Sequence, residues 1–185
     1  MLWKIIVEII VSVIPNKIAR YQYRTKLRNL WNYLYVKNKA QKMGKGVTIG
    51  HGGKCSISRH TFLDDYSSIG SCYVVGSGKF CVGKYTHIGD KLVVSTDNHN
   101  YKGDKIPFDE TIIIKDVTIG DFCWLGINVT LLPGTKIGEG AIIQAGSVVH
   151  GEIPPLAIAG GNPAKVFMYR DKEHYQKLKE QQKFL

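Results

Sequence analysis

Long apolar runs are missing from this sequence. The nearest approach is residues 2–14, a 13-residue stretch interrupted by Lys4 and Glu8, where a membrane-crossing helix needs about 18 to 20 apolar positions. No small-residue A-x-A site follows it, so a cleaved leader is not expected. Cysteine is scarce as well: Cys55, Cys72, Cys81 and Cys123 form no C-x-x-C pair and no tight cluster. That spacing excludes a zinc ribbon and a dense disulfide framework, leaving free thiols in a reducing compartment as the expectation. No G-x-G-x-x-G follows a strand, and there is neither a G-x-x-x-x-G-K-[ST] loop nor a G-x-S-x-G elbow. Dehydrogenase and P-loop readings therefore have no footing, and no nucleophile elbow marks a Ser/His/Asp triad, though spacing alone leaves one open.

Acidic residues are also few, 15 against 25 Lys and Arg, for a net charge of +10 over 185 residues. Such a sum suggests a nucleic-acid binder, but its distribution does not. Residues 1–46 hold ten of the basic residues and a single acid, Glu8, leaving fifteen bases and fourteen acids for the rest. The charge thus belongs to one quarter of the chain, and a uniformly basic domain is excluded. Length and 44% hydrophobic content support one domain with an appendage.

Composition divides the chain into a helical basic segment at 1–45, a Gly-rich and β-branched region at 46–168, and a polar helix at 169–185. In the first, Lys4, Glu8 and Ser12 recur every four residues on a helix otherwise apolar, which Pro15 ends. Tyr23, Leu27, Leu30, Trp31 and Leu34 mark a second helix by their steps of three and four.

The middle region repeats every six residues. From Ile113 the step reaches Ile119, Leu125, Leu131, Ile137, Ile143 and Val149 without a miss. Ile57, Leu63, Ile69 and Val75 keep it, and Val82, Ile88 and Val94 resume it after one extra residue around Gly76-Ser77-Gly78. Small residues recur four places on, at Cys123, Val129, Thr135, Ala141 and Ser147, as a narrow interior requires. Glycine follows the aliphatic residue at Gly70, Gly83, Gly89, Gly120, Gly126 and Gly138, where a sharp turn with positive φ is expected.

The runs Ile119-Gly-Asp-Phe-Cys-Trp, Leu125-Gly-Ile-Asn-Val-Thr and Ile137-Gly-Glu-Gly-Ala-Ile resemble the hexapeptide repeat of left-handed parallel β-helix acyltransferases. The order of repeats, interrupting loop, further repeats and the closing Gly161-Asn-Pro-Ala-Lys165 is similar to the sugar and polysaccharide O-acetyltransferases. The resemblance implies a mainly β fold, a left-handed parallel β-helix flanked by helices, a homotrimer, and acetyl-CoA as co-substrate.

Between Val94 and Ile113 the hexad is lost, so the chain is expected to leave the coil and rejoin it about one turn later, with residues 95–111 as the excursion. Polar loops on a rigid scaffold are where function concentrates. Acetylating an alcohol needs a base for a hydroxyl scarcely ionised at neutral pH, and imidazole, ordinarily near pKa ~6.5, suits that role. The resemblance assigns the base to a histidine at the start of this loop, and His99 is the histidine there. Asp97 and Asn98 are candidates to orient the ring or contact the sugar, or else plain turn residues; Tyr101 is a candidate to stack on the sugar or to pack the loop.

For the cofactor, the resemblance points to Trp124, Gly126, Ala145, His150 and Lys165. Trp124-Leu-Gly-Ile-Asn-Val matches the family's W-x-G-(S/A)-x-V but places Ile127 where Ser or Ala is common. Ala145 falls in the segment matching I-G-A-G-S. His150 stands where Thr-Lys usually follows, as a substitute donor, and Lys165 matches the basic residue that meets a CoA phosphate. His51, His60 and His174 read as ordinary turn or helix histidines, and His87 as a corner residue near a neighbouring subunit. A γ-class carbonic anhydrase would show H-x4-H, which is absent; no metal site is expected.

The expected activity is acetyl-CoA-dependent O-acetylation of a sugar hydroxyl in surface polysaccharide or glycolipid assembly. The alternatives are amino-sugar N-acetylation and a non-catalytic β-helix scaffold. A cytoplasmic protein without nucleic-acid partner is expected, its residues 1–45 either lying on the inner face of an anionic membrane or packing on the end of the β-helix.

Overall fold

The computed structural model describes residues 17–50 and 53–185, together with the helical positions Ile5, Ile9, Val11 and Ser12. Apart from those four, the expected first helix, its stop at Pro15, and His51 lie outside the described residues.

Residues 17–39 contain no Gly or Pro, and helix α1 (Lys17–Lys39) runs unbroken through them, with Lys37 and Lys39 in its last turn, where cations meet the negative end of the helix dipole. Its contacts are with the strands Thr48–Ile49 and Cys55–Ser56 of the first coil. Val36, 1% exposed, joins the hydrophobic core. Asn32 fastens the coil, donating from Nδ2 to Gly53 O at 2.7 Å while its Oδ1 accepts from Cys55 N–H at 3.4 Å. Without that pairing a buried carboxamide would be costly.

The body is a parallel β-solenoid whose three faces are sheets of six, seven and five strands, most of them two to four residues long. On the first face Thr61–Leu63, Phe80–Val82, Val117–Ile119 and Lys136–Ile137 stack in register; on the second, Ser68–Ile69, His87–Ile88, Trp124–Leu125 and Ile142–Ile143; on the third, Cys72–Val75, Leu92–Ser95, Thr130–Leu131 and Val148–Val149. The hexad residues point inward and touch their counterparts one coil on, as Ile88, Leu125 and Ile143 do. Their burial stabilises by about 1.5–3 kcal/mol each. The small residues Cys123, Val129, Thr135, Ala141 and Ser147 complete the interior, all buried.

Four details depart from the hexad reading. Val75 is only half-buried and Val74 takes the interior place, because the four-residue strand Cys72–Val75 alternates and Cys72 already points in. Ile113 is not in the coil: Ile112–Ile114 pairs antiparallel with Asp97–His99, and all three isoleucines are exposed. No turn is skipped, since Val117–Ile119 pairs directly with Phe80–Val82, so the excursion replaces a single corner. Finally, the glycines after the aliphatic residues are not there for positive φ. Left-handed backbone falls instead three places after the aliphatic residue, at Tyr66, Tyr85, Lys91, Phe122 and Asn128, with φ between 52° and 63°, and at Gly134, Gly140 and Gly146 in the later coils. What Gly83 and Gly126 supply is clearance: a Cβ built on them would lie 2.5 Å from Gly120 C and 2.6 Å from Ala145 N, the backbone of the next coil.

The corner residues between the first and second faces form an aromatic column. Tyr66 stacks on Tyr85 at 4.9 Å and Tyr85 on Phe122 at 5.5 Å. The last coil, Ala157–Gly161, turns through Asn162 and Pro163 into the antiparallel return strand Ala164–Tyr169. Helix α2 (Lys172–Glu180), capped by Asp171 accepting from His174 N–H, then lies against that column. Tyr175 is buried there, and Phe184 packs on Tyr85 and Phe122 at 4.7 and 4.9 Å. Among the described residues no helix is long and apolar enough to cross a membrane.

Candidate active site

The hairpin that replaces one corner carries His99 at the end of its outgoing strand. Its root is fixed to the coil: Lys115 N–H donates to Thr96 O at 2.9 Å, and Thr96 N–H to Val75 O at 3.1 Å. Asp97 accepts from Ser77 N–H at 3.0 Å, so its carboxylate braces the hairpin on the coil below. Asn98 accepts through Oδ1 from the backbone N–H of His99 at 2.9 Å. Neither bond reaches the imidazole ring. The ring lies flat on Phe108, centroids 3.8 Å apart and planes 14° from parallel.

Beyond His99 a second lock closes the hairpin. Asp109 accepts from Thr111 N–H at 2.8 Å and from Asn100 Nδ2 at 3.1 Å. The Thr111 bonds hold its carboxyl below the usual carboxylate range, with Asn100 adding to them. Asp109 N–H in turn donates to Asn100 O. Tyr101 stands at the tip, exposed, with the Lys102 ammonium 5.8 Å from its ring.

The cofactor candidates occupy a different edge. Trp124 is 60% exposed on the second face, in register with His87 on one side and Ile142 on the other. Gly126 follows at the corner leading to the third face, directly over the Ala145 backbone. Ala145 is exposed, and beside it a Cβ on Gly146 would meet nothing within 4 Å. One coil further, Gly161 N–H donates to Ser147 Oγ, and the neighbouring return strand presents Lys165, exposed and paired with Gly160. These four positions follow one another along this edge, a shelf running from the second face to the exposed Lys165 on the return strand. Ile127, exposed on the same edge, offers no hydroxyl. His150 does not join them. It lies at the opposite end of the short third-face strands, in an open hollow with Lys115, Pro133 and Lys136, near the hairpin's root.

Within one chain, then, the loop group (Asp97, Asn98, His99, Tyr101) and the shelf group (Trp124, Gly126, Ala145, Lys165) sit at two different corners. Two residues outside both groups stand out: Phe108, and His87, which lies on the second-face strand His87–Ile88 rather than at a corner. Phe108, which supports the imidazole, has no periodic signature in the sequence. His87 does: it occupies the slot before an aliphatic hexad residue, as Trp124 does one coil later. Its Nε2 is buried without a hydrogen-bond partner among the described residues. It opens on a groove of about 510 Å³ shared with Phe122, Trp124, Ile142, Tyr175 and Phe184. Cys123 also lines that groove, but burial pushes its thiol up to about 11, against a thiolate role near neutrality. His60 and His174 are exposed and apart from both groups. Among the described residues no group of three or more His, Cys, Asp or Glu gathers to hold a metal ion.

Residues 116–151 match the bacterial transferase hexapeptide family (six repeats). The Escherichia coli K12 protein WbbJ, which carries the name of a lipopolysaccharide biosynthesis O-acetyl transferase, is 34% identical over 149 residues, covering 71% of this chain and 74% of its own. Among solved structures, a maltose O-acetyltransferase from Clostridium difficile 630 superposes with a TM-score of 0.67 at 20% identity, over 91% of this chain and 84% of that one. The hexapeptide-repeat acetyltransferase VCA0836 of Vibrio cholerae O1 biovar eltor, solved with acetyl coenzyme A, gives a TM-score of 0.54 at 20% identity, over 89% and 84%.

Proposed function

Since the chain belongs to the hexapeptide-repeat acetyltransferases, we propose that it transfers the acetyl group of acetyl-CoA to a hydroxyl of a sugar, with His99 as general base and the site completed by a neighbouring copy of the chain. The observation that carries this reading is the hairpin itself: a single corner of an otherwise regular coil is replaced by a braced, double-locked loop bearing an imidazole. The WbbJ and maltose O-acetyltransferase names support a sugar acceptor, and the VCA0836 complex supports the donor.

In this mechanism the neutral His99 ring takes the acceptor proton as the hydroxyl oxygen attacks the thioester carbonyl. The C–O bond forms, the C–S bond breaks, and the protonated ring returns its proton to the departing thiolate, while a backbone N–H stabilises the oxyanion. Stacking on Phe108 fixes the imidazole plane before substrate arrives, which lowers the ordering cost of reaction. Trp124 packs along the pantetheine arm, Gly126 and Ala145 keep the shelf low enough for it, and Lys165 meets a phosphate. Asp97 supports the loop, and Asn98 and Tyr101 face the acceptor. His150, near the hairpin's root, belongs with the acceptor side. The hairpin and the shelf converge only when the corner of one copy meets that of the next, as a homotrimer allows.

The test is His99→Ala in the full chain, assayed with labelled acetyl-CoA against hydroxyl and amine sugars. Turnover should fall by about 10²–10⁴-fold while acetyl-CoA still raises the melting temperature. Unchanged turnover would remove the base assignment, and exclusive use of amine acceptors would convert the reading to N-acetylation.

A further inference from the structure

Helix α1 has two contrasting sides. At 3.6 residues per turn, Asn32 and Val36 share the side buried against the first coil, and Tyr23, Leu30 and Leu34 share the opposite one. The inner side is buried through Asn32 and Val36, with Tyr33 and Tyr35 packed partly against the core, whereas the leucines, 51% and 43% exposed, face outward. A second apolar stripe thus faces away from the core, where a surface helix ordinarily carries polar residues. Lys26 and Lys37, both exposed, flank the stripe on one side, and residues 17–39 contain no acid at all.

We propose that α1 docks this protein on an anionic lipid bilayer, with Tyr23, Leu30 and Leu34 laid into the interface and the flanking cations at the level of the headgroups. Charge selects the occupant. An anionic surface complements a helix with seven bases and no acid. A second copy does so less well, because outside residues 1–46 the chain is nearly balanced, with fifteen bases and fourteen acids. Long Lys and Arg stems suit such a position, covering apolar surface while their charged ends reach phosphate. The helix, about 35 Å long at 1.5 Å per residue, lies along the surface rather than across it. Docking would hold the solenoid beside acceptors carried on lipid, but it is a property separate from acetyl transfer.

The experiment is co-sedimentation of the full chain, without acetyl donor or acceptor, with vesicles of phosphatidylglycerol and phosphatidylcholine and with vesicles of phosphatidylcholine alone. Pelleting is expected with the first and not the second, weakening steeply as salt rises. Leu30→Glu with Leu34→Glu should abolish it, and Lys26→Gln with Lys37→Gln should lower affinity about fivefold per charge removed. Circular dichroism and the melting temperature should stay unchanged, as these side chains leave the core untouched. Equal pelleting on both vesicles, no pelleting, or wild-type pelleting by the glutamate variant overturns the proposal. A changed oligomeric mass in that variant overturns it in favour of a second copy, and a lowered melting temperature in favour of cover by residues 1–16.

Discussion

A Cβ built on Gly120 would lie 2.8 Å from Glu139 N and 3.1 Å from Glu139 Cα, both backbone atoms of the next coil. Neither can move without breaking the ladder, in which Gly120 N–H donates to Ile137 O at 2.8 Å. The requirement for glycine is therefore steric, and its strictness differs from that at Lys91, where φ is 63° and an exposed side chain tolerates a left-handed backbone. Gly120→Ala should destabilise by about 1–3 kcal/mol, the usual cost of overpacking. At Lys91→Gly, relief of the left-handed strain, about 1–2 kcal/mol, opposes the added chain entropy, about 0.5–1 kcal/mol, so the change should be small and favourable or near zero. Thermal unfolding of the two variants checks the pair; equal losses would mean that φ and not clearance decides. The sequence pattern marks both kinds of position, but only coil stacking distinguishes them, because the clash involves a residue eighteen or nineteen positions away in sequence.

The C-terminal helix is held to the solenoid by a compact polar cluster. Glu139 Oε1 accepts from the Tyr175 hydroxyl at 2.9 Å and pairs with the Lys179 ammonium. Arg170 donates to Gly140 O at 3.2 Å and lies 4.9 Å from the Tyr175 ring centroid. Burial alone would raise the Glu139 carboxyl, but Lys179 and Tyr175 overcome it and hold it below the ordinary glutamate value. A depressed carboxylate stabilises the folded form above its unfolded pKa, about 4.3, and that contribution is lost as pH falls through the lower folded value. Tyr175 is shifted upward, by burial first and then by Glu139, so its contribution is present below its unfolded pKa, about 10, and is lost as pH rises through the folded value. Docking of α2 should thus weaken on both the acid and the alkaline side. Because Glu139 is partly exposed, the acid effect is on the order of 1 kcal/mol after solvent screening. Hydrogen exchange of the α2 amides should show faster opening below about pH 4, and Glu139→Gln should remove that acid limb; an unchanged limb in the variant would assign it to another group. Elements differ in how openly the sequence declares them. The coils are legible because each contributes the same residue types in the same order, so Leu125 and Ile143 are interior by repetition alone. The hairpin is legible as an interruption but not in its pairing: Ile112, Ile113 and Ile114 satisfy any register, and only the antiparallel bonds to Asp97–His99 draw them out of the coil. The orientation of α1 is not legible in the sequence, because apolar residues stand on both its sides and the inward one is marked only by the Asn32 bonds and the burial of Val36.

At the scale of the whole molecule, the separation of hairpin and shelf makes a quantitative claim. His99 leaves the coil at the corner between the third and first faces, whereas Gly126 and Ala145 lie at the corner between the second and third. If each site takes its base from one copy and its shelf from the next, then two chains damaged at different corners can repair each other. Consider co-expression of equal amounts of His99→Ala and Ala145→Trp, the latter filling the exposed shelf position with bulk. In a closed ring of three, a given site is intact when the copy supplying His99 is the Ala145→Trp chain and the copy supplying the shelf is the His99→Ala chain. Random assembly makes both true for about one site in four, by the symmetry of a head-to-tail ring. Each variant alone should be inactive, and the mixture should recover about a quarter of wild-type turnover per site. If a single chain built its own site, every site in the mixture would carry one of the two lesions, and no activity would return however the chains were combined. Recovery therefore reads the geometry directly: about one quarter requires a site between copies, and zero confines it to one chain.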